Sequence, residues 1–147
     1  SHQELNLDLL IAASILHDIG KIDEYDVGLK IDISDEGRLF QIQFNDQIPM
    51  INWSYPEEEN GTSYSTPIIR QNSVIGATYK CKGQTCTGDI FELDKVSGDV
   101  LWKKTIPSKI NSNLIVINDT LFVASLNNEK EDKINNASIY MISLLWL

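Results

Sequence analysis

A hairpin pattern at residues 88–102 constrains the fold of this chain more than any other stretch. Its letters are GDIFELDKVSGDVLW. Residues 90–95 divide into two alternating sets of side chains, as the two faces of a strand do. The turn Ser97-Gly98-Asp99 follows, and a second short segment closes at Trp102. Two strands joined by a glycine-containing turn are therefore predicted.

The surroundings of this hairpin recur along the chain. Trp102 follows Trp53 by 49 residues and precedes Trp146 by 44 residues. Residues 113–125 repeat the pattern of residues 65–76, and residues 139–143 stand where residues 90–94 stood. A repeat of this length suits one four-stranded sheet per unit. Strands are predicted at 38–44, 50–55, 66–70, 73–79, 89–94, 99–104, 114–117, 120–125 and 138–144.

The Leu93-Asp94 strand end, the turn and the closing tryptophan resemble the repeat of pyrroloquinoline-quinone-type β-propellers. In that family the tryptophan docks one blade against the next, which implies a repeat-packing role for Trp53, Trp102 and Trp146. Propellers close with roughly 4 to 8 blades, and this chain carries material for about two. The predicted fold is mainly β, with one N-terminal helix and about two propeller-like antiparallel blades that do not close. Open blades expose apolar faces and strand edges, which calls for self-association, a protein partner, or a compact sandwich instead.

Both cysteines, Cys81 and Cys86, fall in one short loop before the hairpin strand. The spacing differs from a thioredoxin-type motif, and two cysteines give too few ligands for a structural zinc site. A hairpin disulfide is the preferred interpretation, followed by two free thiols and then by redox catalysis. The loop is also similar to a cysteine-containing insertion in quinoprotein alcohol dehydrogenases.

Residues 1–21 are predicted to form a helix. Asn6 is a suitable N-cap, Asp8 lies in the first turn, and Gly20-Lys21 is a stop signal. The segment is apolar on nearly all sides, so such a helix has to be buried by neighbours.

The string ILHDIGK at residues 15–21 and the string SDEGRL at 34–39 resemble the HD superfamily of metal-dependent phosphohydrolases, particularly its 3′-to-5′ exoribonuclease branch. The resemblance implies that His17 and Asp18 bind a divalent metal that activates water, and that Lys21 faces a substrate phosphate. The chain departs from the family in having His2 as its only other histidine, so most of the ligand shell is missing. The predicted domains are an HD-like helical segment at 1–39 and propeller-like β repeats at 40–147.

The amino-acid composition limits the kinds of partner that the chain is expected to bind. The net charge of −9 repels phosphate backbones, so nucleic-acid binding is not expected. No apolar run reaches about 18 residues, so no membrane span is expected. An extracytoplasmic location is favoured for the β portion and a cytoplasmic one for the HD-like segment.

Three functions follow from these patterns. The first interpretation is a non-catalytic β-repeat interaction module, a mosaic or a fragment of a quinoprotein-like propeller, with no catalytic residue assigned. The second is an HD-type phosphohydrolase with an incomplete site at His17 and Asp18. The third is part of a quinone-dependent alcohol dehydrogenase.

Overall fold

The chain forms three antiparallel sheets in the part that the structure, a computed structural model, describes: residues 29–33, 37–45, 48–56, 61–63, 65–127 and 137–145. All three sheets are open, and within these ranges there is neither a helix nor a closed barrel. The mainly β prediction is therefore confirmed. The helix predicted at 1–21 lies outside the described residues.

The strands succeed one another in chain order through the three sheets. The first sheet is β1-β2-β3, and the second is β4-β5-β6-β7. The third has the order β11-β10-β8, with β9 also paired to β10. The strands are β1 Leu29–Ile33, β2 Leu39–Asn45, β3 Ile48–Tyr55, β4 Ile68–Ile69, β5 Ser73–Lys82, β6 Thr85–Asp94, β7 Val100–Ile106, β8 Ser108–Ile110, β9 Ile115–Ile117, β10 Thr120–Asn127 and β11 Ala137–Ser143.

The strand pattern differs from the prediction in two respects. β1 was not predicted because residues 1–39 were interpreted as an HD-like helical segment, although its sequence LKIDI alternates apolar and polar residues. β8 was not predicted because three residues are too few to show an alternation. β1 pairs with β2, so the first sheet includes residues on both sides of the domain boundary predicted at residue 39. β5 and β6 also run on through the cysteine loop, where Cys81 pairs with Cys86, so that their turn is reduced to Gly83 and Gln84.

The second sheet lies between the other two, and most of its central strands β5 and β6 is buried on both faces. One cluster joins it to the first sheet through Leu39, Val74, Phe91 and Leu93, with Trp53 and Tyr55 packed alongside. A larger cluster joins it to the third sheet through Ile75, Ala77, Ile90, Ile106, Ile110, Leu114, Leu121, Val123, Ile142 and Leu144. This two-sided burial explains the apolar runs in β5 and β6, since a strand with solvent on one face would alternate.

Phe91 is the centre of the contact between the first and second sheets. Its ring is fully buried and lies 4.8 Å from the ring of Tyr55, centroid to centroid, at an interplanar angle of 59°. The same ring covers Gly76 on the paired strand β5, where an added Cβ would lie 2.7 Å from the ring carbon Cε2. Position 76 therefore requires glycine, because the ring of Phe91 occupies the space that a Cβ atom would need.

Corresponding strand positions make the contacts at both junctions between the three sheets. The strings LFQI, IFEL and IYMI at residues 39–42, 90–93 and 139–142 recur at a spacing of about 50 residues. The first and third positions of the first two strings contact the following sheet, and the second and fourth positions of the last two contact the preceding sheet. Leu39, Gln41 and Ile90 make the former contacts directly, whereas Glu92 is linked to the third sheet through Arg70, which also pairs with Asp119. The latter set is Phe91, Leu93, Tyr140 and Ile142.

Candidate interaction surface

The turn at the tip of the β6–β7 hairpin is ordered by Asp94. Its Oδ1 atom accepts hydrogen bonds from the backbone N–H groups of Ser97, at 2.9 Å, and Val96, at 2.8 Å. These two bonds lower the pKa of Asp94. Gly98 donates its N–H to the carbonyl of Asp94 and has a φ of +78°, a left-handed conformation that glycine adopts without strain. The hairpin predicted from the sequence is present with this turn.

Trp53 of the first sheet docks on this turn of the second sheet. Its ring lies against Gly98, where an added Cβ would fall 2.7 Å from the ring atom Cγ. The indole Nε1 donates to the carbonyl oxygen of Lys95 at 3.2 Å, and Gln41 Nε2 donates to the same oxygen at 2.6 Å. Trp53 thus joins adjacent sheets through both packing and a hydrogen bond.

Trp102 occupies the corresponding position one sheet later. Trp53 pairs with Gln41 across β2 and β3, and Trp102 pairs with Glu92 across β6 and β7, each beside a shift in strand register. Trp102 packs against the cluster between the second and third sheets, and its Nε1 donates to Glu92 Oε2. The structure thus places both tryptophans at contacts between sheets, whereas Trp146 lies outside the described residues.

Glu92 is a buried carboxylate held by three neighbours. Arg70 Nη1 lies 3.0 Å from its Oε1, and Ser73 Oγ donates to the same oxygen, while Trp102 donates to the other one. The second guanidinium nitrogen of Arg70 lies 3.7 Å from Asp119, which is in the β9–β10 turn of the third sheet. These hydrogen bonds and ion pairs stabilise the carboxylate of Glu92 in its buried position. Through Arg70 they also join the second sheet to the third. Both carboxylate oxygens are thus occupied by groups of the protein itself.

A second buried carboxylate, Asp89 on β6, forms an ion pair with Lys103 on β7, the edge strand of the same sheet. Thr105 Oγ1 donates to Asp89 at 2.5 Å, and Lys103 Nζ lies 2.9 Å away. Burial alone would raise the pKa of Asp89, but the hydrogen bonds from Thr105 and Lys103 and the lysine charge outweigh it and lower the pKa. The hydrogen bond to Asp89 in turn raises the pKa of Lys103. Both groups are thus charged partners of each other at neutral pH.

The outer face of the third sheet, directed away from the second, is apolar and exposed. Ile139 and Met141 on β11 are each 71% exposed, and Ile115 and Ile117 on β9 are each 55% exposed. Phe122, between them on β10, is half-buried. We call these five residues and Ala124 the outer face of the third sheet.

Strand pairing makes the outer face continuous. Phe122 pairs with Ile115 on one side and with Met141 on the other, and Ala124 pairs with Ile139. The outward positions of β9, β10 and β11 carry no Asp, Glu, Lys or Arg. A contiguous apolar face of this kind marks a contact surface in soluble proteins.

The cysteine pair forms a disulfide between neighbouring strands. Cys81 and Cys86 are bonded, with their Cα atoms 4.0 Å apart, near the exposed tip of the β5–β6 hairpin. A hairpin disulfide, the preferred interpretation, is the arrangement that the structure contains.

Reduction of this disulfide is expected to lower the free energy of unfolding by about 2 kcal/mol, because the reduced unfolded chain regains the freedom of a short closed loop. Urea unfolding with and without a thiol reductant measures the difference. A variant carrying both Cys81→Ser and Cys86→Ser should match the reduced protein and should not respond to reductant. An unchanged unfolding midpoint of the wild-type chain on reduction would contradict the expectation.

The residues of the predicted metal site, His17, Asp18 and Lys21, lie outside the described residues, so this site stays a prediction. Within the described ranges, no three His, Cys, Asp or Glu side chains are grouped so that they could hold a metal ion. The same ranges contain no helix long and apolar enough to cross a membrane.

Comparison with known proteins adds no family. No protein-family model matches the chain, and no curated protein matches it either. The functional argument therefore depends on the geometry of the described residues.

The outer face was not recognised from the sequence, although a signal for it exists. β9 carries Ile115 and Ile117 at alternate positions, β11 carries Ile139 and Met141 at alternate positions, and Ile139 repeats Leu39 and Ile90 in the recurring strings. That alternation indicates two apolar faces on one sheet, but not which of the two is covered.

Proposed function

We propose that this chain is a non-catalytic β-repeat interaction module, made of propeller-like sheets, that binds protein through the outer face of the third sheet. One observation carries the proposal. Leu39 and Ile90 are 0% exposed beneath the next sheet of the stack, whereas Ile139, at the corresponding position, is 71% exposed. Among the described residues, the position that joins one sheet to the next is therefore left uncovered on the third sheet.

The chemistry of the face selects the kind of partner. Burying a fully exposed isoleucine contributes about 2 kcal/mol, and the face offers three other large apolar side chains with comparable exposure. A partner with an uncharged apolar surface gains this free energy, whereas a nucleic acid gains none of it and is repelled by the net charge of −9. The partner that fits best is therefore a protein with an apolar, uncharged surface, like the faces that pack between the sheets of this chain.

Photo-crosslinking tests the proposal. A benzophenone-bearing amino acid replaces Ile139 or Ile117, and the chain is irradiated both purified and in extract of the cells that produce it. We expect a discrete protein adduct from both positions, identified by mass spectrometry and lost when Met141→Lys is added, because a lysine on the face must be desolvated for binding.

The matched control places the same group at Val96, which is 80% exposed but lies on the β6–β7 turn. Adducts that form as well from position 96 as from position 139, or no adduct from positions 139 and 117, would overturn the assignment of the face.

A further inference from the structure

We infer that the partner on the outer face of the third sheet is a second copy of this chain, with the two third sheets packed face to face about a two-fold axis. The inference rests on the proposed function, because it names the occupant of the same face.

The face continues an interface that is present inside the chain. The first and second sheets meet through Leu39 and Trp53, and the second and third meet through Ile90 and Trp102. Ile139 and Met141 stand next in this series and lack a covering sheet in the described part of the chain. The surface that covers such positions within the chain is the apolar face of another antiparallel sheet, packed about 10 Å away.

The opposite end of the stack is a poor source of that covering sheet. The positions of the first sheet that correspond to Phe91 and Leu93 are Phe40 and Ile42, and these are 4% and 0% exposed. A head-to-tail contact through these positions would therefore add little apolar burial, because their side chains are already covered. The apolar sheet face that a second copy still offers is its own third sheet, which gives an isologous contact that closes after two copies.

Charge permits this contact. Each copy has a net charge of −9, so two copies repel one another over most orientations. The outward positions of β9, β10 and β11 carry no charged residue, so face-to-face packing of these three strands buries no like-charged pair. Lys109 on β8, which pairs with Leu126, has its ammonium group 4.9 Å from the centre of the Tyr79 ring of the second sheet. Other orientations would bring the acidic surfaces together without covering the isoleucines.

Analytical ultracentrifugation of the purified chain tests the inference. We expect the wild-type chain to sediment with twice the 16.6 kDa mass at high concentration and to dissociate on dilution. Met141→Lys should weaken the association by about 100-fold or more, because both copies then bring an ammonium group into an apolar contact. Val96→Lys makes the same change of charge away from the face and should leave the association unchanged.

The outcomes separate this inference from the proposed function. A wild-type chain that sediments at 16.6 kDa throughout, or a dimer that Met141→Lys leaves intact, overturns the two-fold contact. If the chain is monomeric but position 139 crosslinks to a different protein, the second copy is excluded and the interaction face stands. Circular dichroism of Met141→Lys, expected to match the wild type, shows that a lost dimer is not a lost fold.

Discussion

Phe91→Ala is expected to lower the free energy of unfolding by about 3–5 kcal/mol, the cost of removing a fully buried aromatic ring from a packed core. The ring fills the contact between the first and second sheets, lies on Tyr55 and covers Gly76. Its removal leaves a cavity. The two sheets cannot easily move together to fill it, because backbone hydrogen bonds hold their strands in place. Urea or thermal unfolding, followed by circular dichroism, measures the loss.

Leu101→Ala provides the comparison for Phe91→Ala, because Leu101 lies on β7 of the same sheet and is 55% exposed. We expect it to cost about 1 kcal/mol, in proportion to the smaller apolar area that it buries. Equal losses from the two substitutions would show that the first and second sheets do not share a packed core.

Gly98→Ala is expected to destabilise the chain by about 2–5 kcal/mol, for two separate reasons. A left-handed residue with a Cβ costs about 1–2 kcal/mol, and forcing that atom against a packed ring costs about 1–3 kcal/mol more. At Gly98 the φ is +78°, and the new Cβ would fall 2.7 Å from Trp53 Cγ and 2.8 Å from Cδ2. Denaturant unfolding measures the sum.

Gly83→Ala isolates the backbone part of this effect. Gly83 also has a left-handed φ, +63°, but no atom lies within 4 Å of the point that a Cβ would occupy, so only the backbone cost of about 1–2 kcal/mol is expected. The difference between the two variants measures the docking of Trp53. In a Trp53→Ala background that difference should shrink, because only the Cβ of residue 53, 3.1 Å from the added atom, remains there, and an unchanged difference would contradict the contact.

The hairpin at residues 88–102 could be predicted because its information is local. Asp94, Ser97 and Gly98 form the turn with their own backbone and side-chain groups, so residue type at each position is sufficient. The recurrence of tryptophan also indicated a repeat, and Trp53 and Trp102 lie at contacts between sheets. The length of β5 and β6 was less predictable, because the ladder past Cys81 and Cys86 depends on pairing between strands.

The buried charges show where reasoning from the sequence stops. Asp89 and Glu92 lie on opposite faces of β6, and both are buried although acidic side chains are usually exposed. Each is stabilised by a partner from another strand or loop, Arg70 for Glu92 and Lys103 for Asp89. These pairings depend on which segments are neighbours, a property that local patterns do not contain.

The sequence by itself determined that the described residues between 40 and 145 form strands joined by turns, because alternation and turn chemistry act over a few residues. The tertiary structure alone decided which apolar faces are covered. Leu39, Ile90 and Ile139 are equivalent in the recurring strings, but the first two lie beneath a following sheet and the third does not. Burial is a property of the neighbouring sheet rather than of the residue, and for this reason the candidate interaction face became visible only in the stacked structure.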